Sequence, residues 1–158
     1  MITNATPDQI PAIAKLWHDG WYEAHETIVP KALTRLRTLD SFETRTAVHL
    51  PETRVATSGE TLRGFCMVQS DELYQLYVSP TARGTGTAQD LVKDAEAEIA
   101  NRGHKTAWLA CAIGNSRAAQ FYESCGWVNM RSESIDLETS EGPFAMEIWR
   151  FEKTVADS

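Results

Sequence analysis

The sequence predicts an α/β chain of the mixed (α+β) kind, a mixed sheet with helices on its faces, in the order β-α-α-β-β-β-α-β-α-β-β. Two observations carry this. Apolar residues recur at helical spacing in the first fifty residues and again after residue 85, while between those stretches the period shortens to that of strands. A chain of 158 residues also has the size of one ordinary domain, large enough to bury roughly two thirds of its unfolded surface in one core. No repeat, low-complexity tract or composition shift divides residues 1–158, so a single domain is expected.

Each element has its own signal. "MITNA" reads as a short strand. "TPDQIPAIAKLWHDGWYEAH" follows as a helix, with Ile10, Ile13, Ala14, Leu16 and Trp17 on one face, Thr6 or Asp8 as cap and Pro7 near the first turn. In "PKALTRLRTLDSFETRTAVHL", Leu33, Leu36, Leu39 and Phe42 recur every three residues, which predicts a second helix closed by Pro51. "TRVATSGETLRGFCMVQSDELYQLYVSP" holds three apolar runs broken at Ser58-Gly59 and Ser70-Asp71, the pattern of a three-strand antiparallel meander. A helix over 86–101 carries Leu91, Val92, Ala95 and Ile99 on one face and stops at Arg102-Gly103. "KTAWLACAI" is a compact strand and "NSRAAQFYESCG" a short helix stopped by Gly126. "WVNMRSESIDL" and "FAMEIWRF" are two last strands joined through Glu141-Gly142-Pro143.

Composition narrows the function classes. Hydrophobic residues at 42% and charged residues at 23% are those of a globular protein. A net charge of −7 argues against nucleic acid as a partner, because neutralising phosphates requires a basic face. Cys66, Cys111 and Cys125 are odd in number and lack metal-ligand spacing, so free buried thiols are expected and no metal site. The start "MITNATPDQI" lacks the basic-then-apolar pattern of a signal peptide, and no apolar run reaches the ~20 residues of a membrane span. The expectation is a cytoplasmic protein with no membrane partner.

Small residues crowd the entry to the 86–101 helix: Arg83, Gly84, Thr85, Gly86, Thr87 and Ala88. A helix N-terminus presents unpaired N–H donors and a partial positive charge, so glycines there suit a phosphate. The nucleotide-hydrolase loop needs Gly-Lys-Ser/Thr at its end, which "RGTGTAQD" lacks. The dinucleotide fingerprint needs a third glycine where Gln89 stands and a preceding βαβ strand rather than a meander. Arg83-x-x-Gly86-x-Ala88 instead resembles the Arg/Gln-x-x-Gly-x-Gly/Ala pattern of the GNAT superfamily of N-acetyltransferases. "LYQLYVSP" before it resembles that family's pantetheine-pairing strand. "GNSRAAQFYESCGW" after it resembles the N-x-x-A-x-x-F-Y-E-x-x-G-F element, here Asn115, Ala118, Phe121, Tyr122, Glu123, Gly126 and Trp127. The resemblance covers residues 62 to 130 well and the rest in outline.

The resemblance implies the GNAT fold, a mixed, mostly antiparallel sheet of six to seven strands flanked by about four helices. It implies acetyl-CoA as the cofactor, its diphosphate on the backbone N–H groups of Gly84, Thr85, Gly86, Thr87 and Ala88 with a charge-assisted contact from Arg83. Leu76, Tyr77 and Val78 would line the pantetheine arm together with Asn115, Ala118, Phe121 and Tyr122, and Asn115 would also cap its helix. The implied activity is acetyl transfer to a primary amine by direct attack in a ternary complex. Dimers are common in the family, which leaves a homodimer open.

An alkyl amine with pKa ~10.4 is uncharged in roughly one molecule in a few thousand at pH 7, a barrier of about 4 to 5 kcal/mol, so a base or a desolvating site is needed. Glu72, eleven residues before Arg83, matches the spacing of the catalytic glutamate in histone-type members, and a water held by Gln75 or Tyr74 is the alternative. His25, His49 and His104 are read as surface residues. Tyr122 matches the family's tyrosine that protonates the leaving sulfur, and the Val78 N–H the oxyanion donor. Cys111 and Cys125 have no histidine nearby in sequence to activate them.

For the acceptor, Trp17, Trp21, Tyr22 and Glu26, with Glu23, His25 and Trp149, suggest aromatic and carboxylate contacts to a cationic amine. A polyamine, an aminoglycoside, an amino acid and a protein N-terminus all remain open as small-molecule or peptide acceptors. Two other classes stand beside the enzyme: an acetyl-CoA-binding sensor without turnover, and a different phosphate-binding α/β protein.

Overall fold

In the computed structural model, which describes residues 1–157, the chain begins with β1 (Ile2–Asn4) and a single 3-10 turn, where the Thr6 N–H donates to Gln9 Oε1 at 2.9 Å. Helix α1 (Ile10–His25) buries Ile13, Ala14, Trp17 and Trp21, one stripe at helical spacing. The region read as one second helix is two, α2 (Lys31–Leu36) and α3 (Leu39–His49). Arg37 and Thr38 leave helical geometry between them, and the Thr38 side chain accepts the Ser41 N–H at 3.1 Å as the cap of α3. The leucine period explains the misreading. Leu33 and Phe42 are buried on two different helices, while Leu39 is 43% exposed.

The meander forms as expected, β2 (Thr53–Ser58), β3 (Thr61–Gln69) and β4 (Glu72–Val78), followed by α4 (Thr87–Asn101), β5 (Thr106–Ala112), α5 (Ser116–Ser124), β6 (Val128–Leu137) and β7 (Phe144–Thr154). Seven strands form one sheet in the order β1-β2-β3-β4-β5-β7-β6. Every neighbouring pair is antiparallel except β4 and β5, which run parallel.

The sheet separates two apolar clusters. On one face Leu91, Val92, Ala95 and Ile99 of α4 pack with Cys66, Val68, Leu73, Leu109 and Phe151. On the other Ile13, Trp17 and Phe42 pack with Val55, Phe65 and Met67. Glycine at position 20, inside α1, has a packing reason: a Cβ there would lie 2.5 Å from Cδ1 of the Tyr77 ring, so the bare backbone lets α1 close on β4. No helix among the described residues is long and apolar enough to cross a membrane.

The feature that makes a site is the seam between β4 and β5. They share one pair of partners, Glu72 and Trp108, whereas β5 and β7 pair along the whole of β5. Beyond Glu72 the two strands part in the middle of the sheet. Ser79 N–H donates to Arg63 O at 2.8 Å, so strand alternation turns the N–H and C=O of Val78 and Leu76 away from β3, toward the gap. A ladder of unpaired backbone groups in a sheet interior is costly unless something fills it.

Candidate active site

A cavity of about 720 Å³ runs through this gap, within the range of small-molecule sites. At one end it meets the start of α4. Gly84 and Gly86 adopt φ of +77° and +87°, a left-handed geometry that favours glycine, and a Cβ built on either meets no protein atom within 4 Å. The N–H groups of Gly84, Gly86, Thr87, Ala88 and Gln89 have no acceptor among the described residues. Together they make a concave cluster of donors at a positive helix end, open on the cavity side. Thr85 departs from the expectation: its N–H donates to Ala82 O at 3.3 Å, its hydroxyl donates to the same carbonyl and it does not line the cavity. The Thr85 and Thr87 oxygens lie 2.8 Å apart, and Arg63 Nη2 donates to Thr85 Oγ1 at 3.2 Å. These hydroxyls brace the loop.

Arg83 reaches across the rim to Glu23, its Nη2 donating to Oε1 at 2.6 Å, and Arg117 of α5 donates to the same oxygen at 2.9 Å. Burial alone would raise the Glu23 carboxyl, but the hydrogen bonds from Arg117 and Arg83 hold it below its ordinary value. Leu76, Tyr77 and Val78 form one wall and Asn115, Ala118, Phe121 and Tyr122 the facing one. Asn115 caps α5, its Oδ1 accepting from the Ala118 N–H at 3.3 Å. The Tyr122 hydroxyl has no partner among the described residues, and burial pushes it well above the ordinary tyrosine value, so it keeps its proton. Burial pushes the Cys111 thiol up to about 12, so it too stays protonated and is no nucleophile.

Glu72 lies where the strands part. Burial, reinforced by the neighbouring Asp71 carboxylate and opposed by Arg150, raises its carboxyl from 4.5 to about 7. Gln75 and Tyr74 line the same cavity, but the Tyr74 hydroxyl is engaged, donating to Glu138 Oε1 at 2.8 Å.

At the far end the sequence reading is corrected. Trp21 lines the cavity, whereas Trp17, Tyr22 and Glu26 do not. Trp17 is fully buried between Phe42 and Phe65, and Tyr22 donates its hydroxyl to Arg37 O at 2.8 Å. His25 and His49 are not surface residues. Both line the cavity, and burial pushes His25 down to about 4, so it is neutral. His49 is raised by its hydrogen bond to Glu138. Sequence reasoning missed the group around it: Arg37, Arg45 and Glu138. Arg45 Nε donates to Glu138 Oε1 at 2.9 Å, His49 Nε2 lies 3.0 Å from that oxygen, and Arg37 Nη1 donates to Glu138 O at 2.6 Å.

Residues 10–127 match the Acetyltransferase (GNAT) family. No curated protein matches the sequence. Similar solved structures include a GCN5-related N-acetyltransferase from Rhodopseudomonas palustris, with a TM-score of 0.74 and 17% identity over 98% of this chain and 94% of that one. An N-acetyltransferase from Staphylococcus aureus Mu50 gives 0.70 and 18% over 99% and 98%. The PaiA N-acetyltransferase from Thermoplasma acidophilum, in complex with coenzyme A, gives 0.65 and 17% over 98% of each chain. At these identities the likeness is one of fold.

Proposed function

The chain belongs to the GNAT acetyltransferase family, and from that premise we propose that it is a single-domain N-acetyltransferase, carrying an acetyl group from acetyl-CoA to a primary amine by direct attack in a ternary complex. One observation carries the reading. The free N–H donors at the head of α4, the unpaired edge of β4, Glu72 and Tyr122 all open into the same cavity.

Acetyl-CoA supplies the acetyl group as a thioester. The main-chain donors of Gly84, Gly86, Thr87 and Ala88 would hold its diphosphate, with Arg83 joining by release from Glu23. Leu76 and Val78 would pair with the pantetheine arm as a neighbouring strand does, between Tyr77 on β4 and Asn115, Ala118 and Phe121 on the facing wall. In the transfer the amine nitrogen bonds the acetyl carbon, the C–S bond breaks and one amine proton passes to Glu72.

Glu72 suits that step because a carboxyl raised to about 7 is half ionised at neutral pH and is a stronger base than an ordinary glutamate. Val78 lies six residues, roughly 20 Å along β4, from Glu72, too far to serve the same carbonyl; the Leu76 N–H, turned toward the same gap and nearer the base, is the donor to the oxygen that gains charge. Tyr122 holds its proton at any working pH and donates a hydrogen bond to the departing sulfur, a modest aid because a thiol of pKa ~8.5 leaves readily.

The test pairs binding with turnover. Acetyl-CoA at a hundredfold excess over Kd stabilises the fold by about 2.7 kcal/mol in a thermal shift, and ATP or NAD do not. Thiol release with a panel of amines then exceeds the buffer rate. Stabilisation by acetyl-CoA with no thiol release from any amine would mark a sensor and overturn the catalytic reading; stabilisation by ATP or NAD alone would overturn the cofactor.

A further inference from the structure

The acceptor end of the cavity holds guanidinium N–H groups for which the described residues supply no acceptor. Arg37 and Arg45 are 3% and 6% exposed, and both line the cavity. With His49 they face two carboxylates, Glu138 and, behind His49 at 3.3 Å, Glu52. Guanidinium groups do not lose their protons in proteins, so burial leaves the charge in place. Arg45 Nε and Nη2 are engaged, with Glu138 Oε1 at 2.9 Å and the Tyr74 hydroxyl at 3.1 Å. Arg37 has a single acceptor, the Glu138 carbonyl. Arg37 Nε and Arg45 Nη1 are buried with no partner among the described residues, and Arg37 Nη2, on a side chain that lines the cavity, is also unpaired. Of the other acids on the wall, Asp136 is exposed at the rim and Glu72 is the base.

The aromatic faces that suggested a cationic acceptor are already covered. The Arg37 guanidinium lies 5.8 Å over Trp21 and that of Arg45 lies 4.2 Å over Trp17. His25, also on the wall, is held neutral by burial and by Arg37, which adds no negative charge to attract a cation.

We propose that the acceptor is a small amino acid, its carboxylate docked on Arg37 with Arg45 behind, and its amine directed at Glu72. This rests on the acetyl-transfer reading above and deepens it. Guanidinium N–H groups without acceptors suit a carboxylate, which is planar and can accept two of them side by side. Glu72 and Tyr74, the latter bonded to Arg45, are two residues apart on β4, so the base and the guanidinium group are held from neighbouring positions of one strand. A peptide N-terminus would bring an amine to Glu72 without an α-carboxylate for Arg37.

The experiment uses the full chain with acetyl-CoA and follows thiol release. The acceptors are α-amino acids and ω-amino acids of two to six carbons, each beside its amide and its decarboxylated amine, with a neutral tripeptide as a further arm. At least one acid is used roughly tenfold or more better in kcat/KM than its amide and amine, the factor of a charge-assisted contact. Arg37→Gln removes that preference by raising KM for the acid, and Arg37→Lys, which keeps the charge, restores part of it. An unchanged acetyl-CoA thermal shift shows that both variants are folded. Tryptophan fluorescence, with Trp21 beside Arg37, reads binding of the N-acetylated acid against its N-acetyl amide in the presence of coenzyme A. Arg37-dependent binding of the acid without turnover of any amine would retain the anion site and overturn acetyl transfer. Amines, amides or the tripeptide acetylated as well as the acids would overturn the anion site and leave acetyl transfer standing, and so would a preference that survives Arg37→Gln. Neither turnover nor preferential binding would overturn both.

Discussion

Glu72→Gln sets catalysis against stability, and the structure fixes the sign of both effects. Burial and the Asp71 carboxylate hold the Glu72 carboxyl at about 7 against 4.5 in an unperturbed chain. The folded protein therefore keeps this proton to about pH 7, while the unfolded chain releases it near 4.5. Across that window the folded state binds more protons than the unfolded one, so rising pH removes stability, and above 7 the loss is complete. At about 1.4 kcal/mol per pH unit the loss amounts to at most about 3 kcal/mol. Glutamine has the shape of the protonated form and carries no charge to desolvate. The variant should match the wild type near pH 4.5 and exceed it above pH 8 by up to that amount, roughly 6 to 12 °C in Tm for a chain of this size. Over the same range its kcat/KM should fall by roughly 10²- to 10⁴-fold and lose the acidic limb centred near pH 7. Differential scanning fluorimetry across pH reads the first and thiol release the second. A variant as active as the wild type would remove Glu72 from proton transfer, and a Tm profile parallel to the wild type would show that its carboxyl is not raised.

Tyr122→Phe should lower kcat roughly tenfold to hundredfold with the acetyl-CoA Kd nearly unchanged, since it removes only a donor to the departing sulfur; full activity in steady-state kinetics would exclude the role. Gly86→Val should weaken acetyl-CoA binding at least about a hundredfold by isothermal titration, and the φ of +87° adds about 1 to 2 kcal/mol of strain to the free protein. Retained affinity would put the diphosphate elsewhere. Glu138→Gln tests the buried group at the acceptor end. Burial alone would raise this carboxyl, but hydrogen bonds from His49, Arg45 and Tyr74 hold it at about 2, so its stabilisation is present above pH 4.5 and lost as pH falls toward 2. The variant should be less stable than the wild type at pH 7, and the gap should close in acid; a constant gap in Tm from pH 7 to 3 would contradict the assigned ionisation.

The two ends of the cavity differ in how far the sequence reveals them. The glycine loop is contiguous, and the phosphate role proposed for it needs only backbone donors and residues that tolerate a positive φ, so a short run of letters suffices to suggest it. Asn115, the cap of α5, and Tyr122 within that helix are likewise only seven positions apart, an interval that helical spacing makes readable. The acceptor end has no such run. Arg37 and Glu138 are 101 positions apart, Arg45 and Glu138 93, and His49 and Glu138 89. Read locally, each is one more polar residue on a helix or at a strand end. Arg37 was further hidden by the leucine period that joined α2 to α3. Thr38 followed by Asp40 and Ser41 is an N-cap signal that would have separated them and set Arg37 in the corner. Trp17 and Tyr22 failed as acceptor residues for a related reason, since helical spacing says which side chains share a stripe but not whether the stripe meets a cavity or a core.

This difference has a physical origin that bears on the acceptor. A diphosphate is met by main-chain N–H groups at a helix end, which any sequence able to turn there can supply, so the phosphate end constrains few side chains. An acceptor has to be told apart from other amines, and one more methylene in an apolar pocket discriminates only weakly, whereas a buried charge left unpaired rejects a molecule that lacks its partner. Arg37 and Arg45 have that form: buried, permanently charged and short of acceptors until a ligand brings one. A cationic polyamine entering this cavity would meet guanidinium groups and bring them no acceptor. On the proposed reading an amino acid would bring a carboxylate for these groups and an amine for Glu72, which lines the same cavity. The acidity of the whole chain points the other way, toward cationic partners, but long-range charge is screened within about 10 Å at ordinary salt, and the groups that touch the ligand decide.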